Sequence, residues 1–102
     1  MISRHWTGLA KRERADEYIA HLQNDTFKKL EKISGFISAS ILKRDLTEGI
    51  EFLIITEWET FDAIKQFAGI DFNIAVVPAL VRDIMVSYDQ EVRHYEINFS
   101  TK

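Results

Sequence analysis

Three histidines, His5, His21 and His94, are the side chains here that exchange a proton near neutral pH. No two of them stand three or four residues apart, the spacing that puts two imidazoles on one helix face, so no metal centre is expected. The chain has no cysteine, which excludes thiolate nucleophiles, thiolate-bound metals and disulfides. No serine sits in a Gly-x-Ser-x-Gly elbow, and no glycine-rich phosphate loop is present. What remains is proton transfer beside an aromatic surface. His94 is the candidate catalytic base for a substrate hydroxyl. Arg4 and Trp6, two residues apart, set a fixed cation beside an indole, a cradle for an anionic or phenolate-like substrate because the charge favours the ionised form. Trp58 is a further candidate for the substrate-binding wall. Each has an ordinary alternative: Trp6 as core with Arg4 paired to an acid, His94 as a hydrogen-bonded strand residue, Trp58 as a clamp of helix on sheet.

These groups need elements to position them. Residues 1–9 alternate, with Ile2, Arg4, Trp6 and Gly8 on one face and Met1, Ser3, His5, Thr7 and Leu9 on the other, which predicts a first strand. His5 and Trp6 therefore point to opposite faces, so only one of them can face a cavity. Ala15, Tyr18, Ile19 and Leu22 form the stripe of an amphipathic helix. The stripe slips at Asn24-Asp25, where either residue could cap a second helical piece carrying Phe27, Leu30 and Ile33 to a stop at Ser34-Gly35. Residues 36–44 alternate as a second strand, closed by a turn over residues 45–49. A third strand follows, and its core Phe52-Leu53-Ile54-Ile55 is apolar on both faces, as in a central strand covered on both sides. Thr60 is a natural N-cap for a second helix bearing Phe61, Ile64, Phe67 and Ala68, ended by Gly69. Pro78 breaks the run over residues 70–89, in which residues 79–85 read as a short helix. A last strand spans residues 92–99 and sets His94 beside the first strand.

The order β-α-β-β-α-β predicts an α+β, ferredoxin-like fold: a four-stranded antiparallel sheet with its helices on one face. The other face is left uncovered. With the third strand apolar on both sides, and Ile2 and Trp6 on the first, that face is expected to meet the sheet of an identical chain in a two-sheet barrel enclosing a cavity. The 102 residues, without a linker-like stretch, read as a single domain over 1–102. Hydrophobic residues make up 46% and charged residues 28%, enough to fold and to remain in solution. Thirteen basic residues are interleaved with sixteen acids for a net charge of −3, so no nucleic-acid partner is expected. No apolar run reaches membrane-span length and no signal peptide opens the chain, so no membrane partner and a cytoplasmic location are expected.

The chain resembles the antibiotic biosynthesis monooxygenase family of dimeric α/β barrels. The likeness rests on the opening residues 1–6 (MISRHW), on residues 52–64 (FLIITEWETFDAI), where an apolar strand runs through Trp58 into a capped helix, and on residues 92–97 (VRHYEI). It implies a homodimer with a small-molecule pocket in each subunit. In some members it implies oxygenation of phenols, quinols or polyketide aromatics without a cofactor, so none is expected here. A haem-degrading branch carries an Asn on the first strand, with a Trp and a His on the helix after the third. This chain has no Asn in its first strand, Phe67 where that Trp would stand and no His in residues 60–78, so it departs from the haem pattern. The reading is a monooxygenase for a small aromatic or quinol-like molecule, with His94 as base and Arg4, Trp6 and Trp58 shaping the pocket. Two alternatives stay open: a non-catalytic dimeric binding protein, and a small isomerase or cyclase on the same barrel.

Overall fold

The computed structural model describes residues 1–101. Alternation in the opening residues produces β1 (Ile2–Ala10), the lane on which the sheet is assembled. After a single 3-10 turn the chain runs through α1 (Ala15–His21) and α2 (Phe27–Leu30), then β2 (Phe36–Leu46) and β3 (Gly49–Trp58). It continues through α3 (Phe61–Ala68), α4 (Ala79–Ile84), β4 (Met85–Tyr88) and β5 (Arg93–Glu96). All strand pairs are antiparallel in the order β2-β3-β1-β4, with β5 also on β1. This is the expected α+β ferredoxin-like sheet with one refinement. The fourth lane is two short strands: β5 lies along Ile2 to His5 and β4 along Gly8 to Ala10. Residues 89–92 bulge out between them and pair with the loop after α3, through Ala75 N to Gln90 O (2.9 Å) and Val92 N to Asn73 O (2.8 Å).

The helical slip after Leu22 is not a capped break. Residues 22–26 form a π-helical turn joining α1 to α2, and Thr26, at the head of α2, keeps right-handed helical angles with no capping bond. At α3 the expected cap is present, Thr60 Oγ1 accepting from Ala63 N at 3.2 Å. Gly69 closes that helix at φ 83°, a conformation that favours glycine.

The apolar residues gather in two clusters between sheet and helices. One holds Tyr18, Leu22, Phe52, Ile54, Val81 and Ile84, the other Ile2, Leu30, Trp58, Ala63 and Ile64. Pairing of Trp6 with Ile54 and of Ile2 with Trp58 puts Ile2 and Trp6 on this helix-covered face. The uncovered face consequently draws its apolar surface from Leu9, Leu42, Leu53 and Ile55, not from Ile2 and Trp6. Its half-buried and exposed residues include Leu53, Ile55 and Leu42 within a frame of His5, Ser38, Ser40, Glu51 and Glu57.

Candidate functional site

The two core clusters do not merge, and at their seam the helix-covered face leaves a cavity of about 80 Å³. It therefore lies between the sheet and the helices of one chain, whereas the sequence suggested a space enclosed by two sheets. β1 contributes Arg4 and Trp6, β3 contributes Ile54 and Thr56, and the first helical run contributes Tyr18, Leu22, Thr26 and Phe27. Phe67 of α3 and Val76 and Val92 from the paired loops complete much of the wall. A second lobe of about 50 Å³ shares Trp6, Tyr18, Leu22, Thr26 and Val76 with the first and adds His21, Pro78 and Val81. Trp6 floors both lobes because Gly8 lets its ring lie flat along the strand. A Cβ on Gly8 would stand 2.6 Å from the indole Cη2. The indole Nε1 donates to Asp89 O at 2.9 Å, so the fourth lane's bulge anchors that floor.

Arg4 is the charge in this wall. It is only 5% exposed, and none of the ion pairs among the described residues involves it. Its Nη1 donates to Phe72 O at 2.5 Å and to His94 Nε2 at 3.0 Å, and its Cζ stands 5.9 Å from the centre of the Phe67 ring. Burial lowers the guanidinium pKa to about 10, so it stays charged at neutral pH. No buried side-chain N or O among the described residues lacks a partner, and Arg4 is one of the residues lining the cavity. The acid partner allowed for in the sequence reading is replaced by a carbonyl and an imidazole.

His94 stands opposite Arg4 in the β1–β5 register, where the topology was expected to set it, but behind the cavity wall. Its ring packs edge-on between Phe61 and Phe72, at 5.6 and 5.4 Å between centroids. A guanidinium can only donate, so Nε2 accepts and the ring proton sits on Nδ1. Burial and then the Arg4 charge hold the His94 pKa below the usual imidazole range. The imidazole is therefore a neutral acceptor that orients Arg4.

Trp58 is fully buried and outside the cavity lining. It stacks on Phe67 at 6.3 Å, meets Phe36 edge-on at 5.2 Å, and donates from Nε1 to Thr56 Oγ1 at 2.9 Å. It acts on the cavity through two wall residues, Phe67 and Thr56. Of the four residues singled out from sequence, Arg4 and Trp6 share the cavity, while His94 and Trp58 each stand one residue behind it. Tyr18 and Thr26 were missed. Tyr18 is 3% exposed, lines both lobes and has its phenol pKa pushed up by burial, so it remains a neutral hydroxyl. Its signal in the sequence was one hydroxyl in an otherwise apolar helical stripe.

The sequence model of the antibiotic biosynthesis monooxygenases matches residues 1–70, from β1 through α3. Among curated proteins no sequence relative matches. Solved structures similar to this chain include a Bacillus cereus protein assigned to the antibiotic biosynthesis monooxygenases, at TM-score 0.68 and 19% identity, covering 99% of this chain and 94% of that one. SnoaB, a cofactor-independent oxygenase from Streptomyces nogalater, superposes at TM-score 0.65 and 12% identity over 98% of this chain and 95% of its own. MhuD, a haem-degrader from Mycobacterium tuberculosis with two haems in its active site, superposes at 0.62 and 12% over the full length of both. At these identities the structures establish a shared fold, and the family match spans well over half of the sequence. The chain belongs to the antibiotic biosynthesis monooxygenase family.

Proposed function

We propose that this protein is a cofactor-independent monooxygenase for a small phenolic or quinol-like aromatic. The observation that carries the reading is Arg4: a buried guanidinium, free of carboxylates among the described residues, opening into a cavity walled by Trp6, Phe27 and Phe67. Such a cation stabilises a phenolate or enolate over its neutral parent, and the ionised ring is the electron-rich form that reduces oxygen. The step balances without an added reductant. A ring C–H and a hydroxyl become two carbonyls, the substrate supplies four electrons, one oxygen atom enters the product and the other leaves as water.

In this reading His94 supports the chemistry through Arg4, and its part as a base waits on a ligand that displaces the Arg4 hydrogen bond. Thr56, held by Trp58, and Tyr18 offer neutral hydroxyls that orient the ring. One observation favours a second reading, a non-catalytic binding protein: His94, the expected base, is outside the lining. Oxygen uptake with single-ring phenols and quinols decides between them, since saturable uptake supports the oxygenase and tight binding without uptake supports the binding protein. We propose further that the uncovered sheet face, centred on Leu42, Leu53 and Ile55, meets a second copy of the chain. Native mass spectrometry giving a strict monomer at micromolar concentration would refute it.

A further inference from the structure

We propose that His21, relayed by the Thr26 hydroxyl, is the proton acceptor of this cavity, and that the ligand is a single ring spanning from Arg4 to Thr26. The inference deepens the monooxygenase reading and rests on it for the fate of the ionised ring.

The π-helical turn supplies the geometry. His21 and Thr26 are five residues apart, which in an α-helix would set them roughly 140° apart around the axis at ~100° per residue. A turn with i→i+5 periodicity brings such residues onto one side, and π turns recur where a helix has been adapted to a site. Here the turn over residues 22–26 brings Thr26 Oγ1 to 3.3 Å from His21 Nε2. The same turn places Leu22 and Thr26 in the wall of both lobes, with His21 in the second. His21 is thus the histidine that lines this cavity, while His94 stands behind Arg4 and His5 lies on the opposite face of the sheet.

The two poles have different chemistry. Arg4 can only donate, so it receives an oxygen that gains negative charge. Thr26 both accepts and donates, so a substrate proton passes to Oγ1 as the threonine's own proton passes to His21 Nε2. No bond other than the substrate and threonine O–H bonds is broken, and the products are an imidazolium at His21 and a phenolate whose charge is shared through the ring with a conjugated oxygen at Arg4, as in a nitrophenol. Space restricts the ligand. The lobes hold about 80 and 50 Å³, and a cavity of about 150 Å³ accepts one benzene ring. Lobes of this size are on the scale of one ring and too small for a fused tricyclic skeleton.

The test uses 4-nitrocatechol as a chromophoric single-ring probe, read by its phenolate band on binding at a pH below the probe's own ionisation. The wild-type protein is expected to bind it ionised. His21→Gln and Thr26→Val are expected to lower the bound phenolate fraction at least tenfold, Thr26→Ser to retain it, and imidazole to restore part of it in His21→Ala. Full ionisation in His21→Gln, or no ionised binding by the wild type, would overturn the proposal. Ionised binding that depends on His21, without oxygen uptake, would uphold it and sink the monooxygenase reading alone.

Discussion

Replacing Arg4 by Met removes the charge from the cavity while keeping a flexible, unbranched side chain. Burial lowers the Arg4 pKa from its ordinary value to about 10. At ~1.4 kcal/mol per pH unit, holding the charge in the folded protein costs about 3 kcal/mol. The variant relieves that cost and gives up two hydrogen bonds from the charged guanidinium, to Phe72 O and His94 Nε2, of about 1.5 kcal/mol each. The two effects nearly cancel, so Arg4→Met should unfold in urea within about 1 kcal/mol of the parent, at an unchanged m-value. Ligand binding should not be spared. A charge-assisted hydrogen bond contributes about 1.5–3 kcal/mol, so the Kd for a single-ring phenol, followed by tryptophan fluorescence, should rise at least tenfold. A loss of more than ~3 kcal/mol of stability with an unchanged Kd would identify Arg4 as a structural strut and refute the reasoning.

Three further outcomes follow from the same geometry. Gly8→Ala sets a methyl against the Trp6 ring and 3.0 Å from Met85 Sδ; it should cost ~1–3 kcal/mol and shift the indole emission, and an unchanged Tm and spectrum would contradict the account of the cavity floor. Thr60→Ala should destabilise by about 1 kcal/mol in urea unfolding, with Thr60→Ser close to the parent, because Oγ1 caps α3 at Ala63 N. His94 and His5 have folded pKa values below 6.5, lowered first by burial and then by Arg4 and Arg93 respectively, so the unfolded chain takes up their protons first. Stability should therefore be full above pH ~6.5 and fall on acidification towards the folded pKa values. A Tm flat between pH 7 and 5 would count against both environments, and His94→Gln should remove part of the slope.

Much of this arrangement was legible from local pattern. Strand alternation put Arg4 and Trp6 on one face and His5 on the other, and the β1–β5 pairing set His94 opposite Arg4. The slip at Asn24-Asp25 was also visible, but a break in helical period marks a π turn as well as a capped end, and only the backbone distinguishes them. β4 escaped because Met85–Tyr88 is four residues long and continues the apolar run of α4. The cavity escaped because it is the gap between two core clusters set by packing across five elements, which no sequence period encodes. For the same reason alternation could say that Arg4 points inward, but not that a carbonyl and an imidazole hold it in place of an acid.

The most direct test of the central claim is oxygen consumption by the purified, chelator-treated protein with a panel of single-ring phenols and quinols, with product counted by mass spectrometry. The account predicts saturable uptake with one oxygen molecule consumed and one oxygen atom incorporated per product, falling at least tenfold in Arg4→Met. Tight binding with no uptake, or the same turnover under nitrogen, would contradict it.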